Sequence, residues 1–325
     1  MCVLAAGIAA AVGPTRAAEP LHKVAVIPLA GVVGRIDHLA IGADGKRVFV
    51  AALGNNSLEV VNLATKQVER SIKDLHEPQG VAYIKDQRLV AVANGEGGAC
   101  RLFDADSFKL ISTIDFSNDA DNIRYDPRDG KMYVGYGDGA LGVYDTRLKQ
   151  RGKDVVLPSH PESFQLETNG SRIYINLPKS QQIAVIDRKQ GAIADTWPLH
   201  AARSNFPMAL DEANGQLFIG CRSPAVVLVL NTKDGSVIAQ LPTVGDTDDL
   251  FYDKRAKRLY VVGGEGFIVA YEQQGSKFVQ LAKIQTAAGA RTALFSPELS
   301  KLFVAVPRRE SQAAELQIYS VDGVQ

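Results

Sequence analysis

The chain has 325 residues, and its 36 Lys plus Arg balance 36 Asp plus Glu for a formal net charge of zero. A neutral total argues against the broad basic face that sequence-independent nucleic-acid binding needs, although it leaves room for a local patch, so nucleic acid is not an expected partner. The length would allow two domains, but no linker, low-complexity tract or long charge run divides the chain.

From the N-terminus, Met1 to Val12 is apolar, rich in small residues and too short to span a membrane as a stable helix. Thr15-Arg16-Ala17-Ala18-Glu19 follows, with small residues where a signal peptidase needs them. Residues 1–18 therefore read as a secretory signal peptide, incomplete at its start because a positively charged segment is missing, ahead of a single domain over 19–325. The mature chain is expected in the periplasm or outside the cell, as a monomer with no membrane span. Cys2 lacks a lipobox, and Cys100 and Cys221 fall on strands of separate units, where they are expected to stay reduced.

Val24 to Leu29 is a strand pattern with no unit of its own. After it, a polar cluster running into a short apolar strand recurs seven times, about every 41 to 45 residues, starting at Arg35, Glu77, Asp119, His160, Ser204, Asp246 and Gly289. In the first unit the pattern continues through Val48 to Ala51, Leu58 to Val61 and Val68 to Ile72, making four strands. Later units repeat the second strand as Leu89 to Val92, Met132 to Gly135, Ile173 to Asn176, Leu217 to Gly220, Leu259 to Val262 and Leu302 to Ala305. Their β-branched and aromatic content suits strands buried on both faces. Asp129-Gly130, Asn169-Gly170, Asn214-Gly215 and Ser296-Pro297 supply the turns. The seventh unit stops after Leu316 to Tyr319, its third strand, so residues 24–29 are expected to pair beside it. The fold expected is all-β: a seven-bladed β-propeller of four-stranded antiparallel blades, its ring closed by the N-terminal strand.

The units Lys46-Arg47-Val48-Phe49-Val50-Ala51 with Asn55 to Asn62, and Arg172-Ile173-Tyr174-Ile175-Asn176 with Ile183 to Asp187, carry a resemblance. The chain resembles the YncE-like, YVTN-repeat seven-bladed propellers of bacteria and archaea over roughly residues 22 to 325. The resemblance implies architecture and no particular activity, because the scaffold hosts many functions.

Polar chemistry gathers on one face. Loops leading into each unit hold or flank His38, His76, His160 and His200, and carry Arg35, Asp37, Glu77, Asp119, Asp121, Glu162, Arg203, Asn205, Asp246, Asp248, Asp249 and Arg291. Loops between second and third strands add Asn55, Asn56, Asn94, Glu96, Asp138, Arg222, Glu265, Arg308 and Arg309. Aligning the units gives one column of His38, Gly80, Asn122, Ser163, Pro207, Asp249 and Thr292. The column before it reads Asp37, Gln79, Asp121, Glu162, Phe206, Asp248 and Arg291, and both are expected to ring the channel mouth. Residues serving only the frame would drift toward one consensus, whereas these differ from unit to unit, as an asymmetric ligand site requires. The simpler alternative is that acids and amides at a wet channel mouth merely cap turns.

The candidate ligand-binding set is Arg35, Asp37, His38, Gln79, Asp121, Asn122, His160, Glu162, Asn205, Asp248, Asp249 and Arg291. His38, His160 and Glu162 form a candidate site for a divalent metal ion such as zinc, with Asp37 as an alternative carboxylate. Arg291 is the natural partner for the dense carboxylates of residues 246–249, so Asp248→Asn and Asp249→Asn test whether those acids serve a ligand or the frame. No nucleophile elbow, dinucleotide fingerprint or P-loop is present, and no catalytic residue is assigned. The favoured reading is an exported, non-catalytic propeller binding a small polar ligand or a protein partner at this face. The alternative is a lactonase-like, metal-assisted hydrolase or lyase at the same mouth.

Overall fold

The computed structural model describes residues 19–322 and is almost wholly β-strand. The segment read as a signal peptide lies outside the described residues. Among those described, no helix is long and apolar enough to cross a membrane.

Seven antiparallel sheets follow the seven sequence units. Blade 1 runs Leu39–Ile41, Arg47–Ala52, Ser57–Asn62, Gln67–Ile72, and five blades repeat that meander. Blade 3 departs slightly, its outer edge split into Gln150–Arg151 and Val155–Val156, which both pair with Ala140–Asp145. Blade 7 takes Thr292–Ser296, Lys301–Val306 and Glu315–Val321 from the C-terminal end and Leu21–Pro28 from the N-terminal end. That last pairing runs from Leu21 opposite Val321 to Pro28 opposite Glu315, a longer closing strand than residues 24–29. Closure joins the two ends of the array and leaves it no open end.

Second strands are buried almost throughout, as in Arg172–Leu177, while outer strands such as Ala192–Pro198 are largely exposed. The apolar side chains fall into seven clusters, and each straddles one pair of neighbouring blades. Phe303 and Leu316 of blade 7 meet Val48 and Val50 of blade 1. Leu21 and Tyr319 of blade 7 meet Tyr260 and Val262 of blade 6. No blade covers its own faces, so stability belongs to the ring. Cys100 and Cys221 are buried and free.

Four inner strands carry register shifts near their channel-mouth ends, between Pro78 and Val81, Ala120 and Ile123, Asn205 and Met208, and Thr247 and Asp249. Such bulges re-aim side chains. The residue entering the inner strand is left-handed in five units: Glu77, Asp119, Ser204, Asp246 and Gly289, with φ between 41° and 76°. The four non-glycine cases cost on the order of 1 kcal/mol each, a strain held at the mouth by the surrounding ring.

Candidate functional site

In blades 2, 3, 5, 6 and 7 the left-handed entry residue stands two positions before the side chain that faces the channel, and blades 1 and 4 reach the same position with neither a left-handed entry nor a bulge. All seven residues of the column Asp37, Gln79, Asp121, Glu162, Phe206, Asp248 and Arg291 line a single cavity of about 300 Å³. Arg35, His38, Asp119, His160 and Arg222 complete its wall. Gly80 permits the tight nesting of blades 2 and 3, since a Cβ there would stand 2.1 Å from the Asp121 carbonyl oxygen.

Strand alternation explains which expected residues miss the cavity. The position before each cavity-lining residue points into the blades, where it reads Ile36, Pro78, Ala120, Pro161, Asn205, Thr247 and Ala290, all buried. Asn205 therefore belongs to the frame, a correction to its place in the ligand set. Its amide donates to Asn176 Oδ1 at 2.9 Å and to the Gln182 carbonyl, while Asn176 donates to the Phe206 carbonyl at 2.8 Å. Asn122 is likewise set behind the wall, 2% exposed, with Nδ2 3.4 Å from Asp121 Oδ1. Asp249 lies beside the cavity and accepts the Ala293 backbone N–H at 2.7 Å, so it too anchors structure.

The wall divides electrostatically. Toward blades 5, 6 and 7, Arg222 Nη2 donates to Asp248 Oδ1 at 2.6 Å, and Arg291 Nε stands 2.8 Å from Asp248 Oδ2. Both guanidinium groups also approach Asp246, and Arg222 lies 3.8 Å from the Phe206 ring centroid. Burial pushes the Asp248 carboxyl up to about 6 despite these two arginines. On blade 1, Arg35 Nη2 donates to Asp37 at 3.1 Å. His38 sits between Asp37 at 3.7 Å and Asp249 at 3.6 Å. Burial opposes its charge, but Asp249, Asp37 and Asp121 outweigh that and push the imidazole up to about 10, so it is a cation at neutral pH.

Blades 3 and 4 make a different wall. His160 Nδ1 contacts the Gly137 carbonyl at 2.6 Å, an arrangement in which it donates, and Nε2 stands 3.7 Å from Asp121 Oδ2. Burial lowers the His160 pKa, but Asp121, the Gly137 carbonyl and Asp119 raise it to about 9. Burial together with Asp121 and Asp248 pushes Glu162 well above the usual carboxylate range, against the pull of His160. Among the described residues no group donates a hydrogen bond to the Glu162 carboxyl. Donor atoms of Asp121, His160 and Glu162 all lie within 4.8 Å of one another. The metal-capable set thus has Asp121 in place of His38, a correction whose cause is the His38 pairing with Asp37 and Asp249.

A second recess of about 260 Å³ adjoins the mouth and shares Arg35 and Arg291 with it. Arg308 and Arg309 line this recess, and among the described residues neither guanidinium has an ion pair. Sequence reasoning put both arginines on this face without joining them to the site. Their signal was the Pro307-Arg308-Arg309 loop, whose distance from the mouth depends on ring closure.

No protein-family model matches the chain, and no curated protein sequence does. Solved structures do resemble it. One is a chain titled Kuenenia stuttgartiensis hydrazine synthase, with a TM-score of 0.75 and 16% identity over 92% of this chain and 96% of that one. Another belongs to a structure titled mitotic checkpoint complex, with a TM-score of 0.80 and 15% identity over 99% of each chain. At such identity the likeness concerns the fold alone.

Proposed function

We propose that the protein binds a small polar anion, a carboxylate- or phosphate-bearing molecule, at the channel mouth and does so without catalysis. One observation carries the reading: the mouth adjoins a recess where Arg308 and Arg309, without an ion pair among the described residues, stand beside Arg35 and Arg291. A planar guanidinium presents a fork of donors matched to carboxylate or phosphate oxygens. The asymmetric wall supports a ligand with distinct ends, since seven different side chains meet there on a repeating frame.

A protein partner is less well supported at this mouth. Of the exposed large apolar residues, Val24, Val26, Leu110, Ile111, Val156, Ile193, Val237, Ile238 and Val279 sit on outer strands around the perimeter of the ring and Leu148 in a turn, leaving Val33 as the one beside the recess among the described residues. The apolar residues 1–12 and the small residues before Glu19 support a place outside the cytoplasm. Intact-mass measurement on exported protein tests that placement, with a start near Glu19 expected and full-length chain in the cytosol contrary to it.

The binding test is a thermal-shift screen of small carboxylates, phosphate and phosphate esters on the full mature chain. A ligand present at about a hundred times its Kd adds about 2.7 kcal/mol to the folded state. At least one probe is expected to raise Tm for the wild type and to lose most of that effect in Arg308→Gln/Arg309→Gln. An unresponsive wild type, or a double variant responding equally, overturns the proposal.

A further inference from the structure

The arginine recess lies between blades 7 and 1, and directly across the ring stands the cluster on blades 3 and 4. We infer that Asp121, His160 and Glu162 form a divalent-cation site, suited to zinc, on the wall of the channel mouth facing the arginines. The inference builds on reading the mouth as a ligand site and adds a second, chemically opposite component to it.

Three features of geometry carry it. Zinc binds imidazole nitrogen and carboxylate oxygen at about 2.0 to 2.2 Å, so two donors on one tetrahedral ion stand about 3.4 Å apart. His160 Nε2 and Asp121 Oδ2 are 3.7 Å apart, and all three donor atoms fall within 4.8 Å, close enough for a small side-chain adjustment to complete the set. The Gly137 carbonyl accepts from His160 Nδ1, which fixes the ring and turns Nε2 toward the cluster. This is the outer contact that metal-binding histidines usually have. Asn122 behind Asp121 does the same for the carboxylate, with Nδ2 3.4 Å from Oδ1.

The distribution of cations adds an independent reason. Arg222 and Arg291 are spent on Asp248 and Asp246, and Arg35 on Asp37. None of the three pairs with Asp121 or Glu162 among the described residues. The field of His38 and Arg124 reaches Asp121, but His38 is placed between Asp37 and Asp249, and Arg124 donates to the Ile123 carbonyl and to Ser163. No hydrogen bond to the Glu162 carboxyl is present among the described residues. A frame needing only stability would gain little by holding such a carboxyl in a recess. The mixed donor set favours a borderline ion such as zinc over calcium, which takes six to eight oxygen ligands. Three protein donors leave coordination positions for water or for an oxygen of the anion held across the ring.

The experiment uses tag-free mature protein, stripped with a chelator, dialysed free of it and equilibrated with zinc chloride near neutral pH, with the metal quantified by mass spectrometry. One zinc per chain is expected, with a Kd of about 1 µM or tighter. Asp121→Asn and Glu162→Gln should each weaken it by about tenfold or more. Asp234→Asn, in an exposed turn, should leave it unchanged. His160→Gln should weaken it further; if that variant fails to fold, Glu162→Gln still decides, since its carboxyl gives up no hydrogen bond. Less than about a fifth of an equivalent bound at about 10 µM free zinc overturns the inference. So does undiminished binding in both Asp121→Asn and Glu162→Gln. Because no organic anion is present, failure here leaves the Arg308 and Arg309 result standing, and the reverse holds equally.

Discussion

Glu162→Gln and Asp249→Ala should change the stability of the metal-stripped protein in opposite directions, although both remove an acid at the channel mouth. Asp249 accepts the Ala293 N–H at 2.7 Å and faces the His38 imidazolium at 3.6 Å. Truncation strands a buried amide and leaves His38 with Asp37 as its near partner, at a cost of about 2 to 4 kcal/mol. Glu162 has no hydrogen-bond donor to lose among the described residues, and burial with the acids Asp121, Asp248 and Asp37 outweighs the pull of His160 on its charge. Gln removes that repulsion, for a gain of up to about 1 kcal/mol. The pH dependence follows from the raised Glu162 pKa. Above its ordinary value of 4.5 the folded chain keeps a proton that the unfolded chain has lost, so wild-type stability falls as pH rises from there. The Gln variant escapes this loss, and its advantage should be absent below about pH 4.5 and grow toward neutrality. Urea melts of wild type and both variants, at several pH values with chelator, give the comparison. A Glu162→Gln cost above about 1 kcal/mol near neutral pH, or a pH-independent difference, would refute the reasoning and make Glu162 part of the frame.

Other consequences are direct. His38 has its pKa raised from 6.5 to about 10, so its contribution is complete below pH 6.5 and is lost as pH rises through 10. His38→Gln should therefore flatten the alkaline limb of the stability profile, and an NMR titration of the imidazole near its ordinary value would contradict this. Deleting residues 1–28 removes buried Leu21 and Ile27 and uncovers the edge of Glu315–Val321. At about 1.5 to 3 kcal/mol per side chain, the loss should exceed about 3 kcal/mol and lower the melting of the whole ring in one transition. A truncated chain melting within about a degree of the chain that begins at Glu19 would show that the strand closes nothing. Burial pushes the Cys100 and Cys221 thiols up to about 12, so neither should react with a thiol reagent until the protein unfolds. Rapid labelling in native buffer would contradict that placement.

Asp248 shows where reading the chain alone runs out. The sequence put Asp248 and Asp249 together as acids poised for a ligand with Arg291 as internal partner. In the structure Asp248 is held by Arg222 as well as Arg291, and Asp249 by a backbone amide of the next blade. Substituting either is now expected to destabilise the fold, and the test of a carboxylate serving a ligand passes to Glu162.

The sequence by itself determined the blade count, the four-strand meander, the closing strand and the column from Asp37 to Arg291, because those follow from local periodicity and turn chemistry repeated at a fixed spacing. Period-two alternation also separated channel-facing from blade-facing positions in principle, yet Asn205 was misplaced because a polar residue stands where other units have mostly apolar ones. Only the tertiary structure decided that Asp121 joins His160 and Glu162, that His38 is taken by Asp37 and Asp249, and that Arg308 and Arg309 adjoin the mouth with no ion pair to their guanidinium groups among the described residues. Those pairings link residues on different blades, and their distances are set by bulges and by closure of the ring. A charge in the sequence carries no record of which neighbour it will meet across a channel.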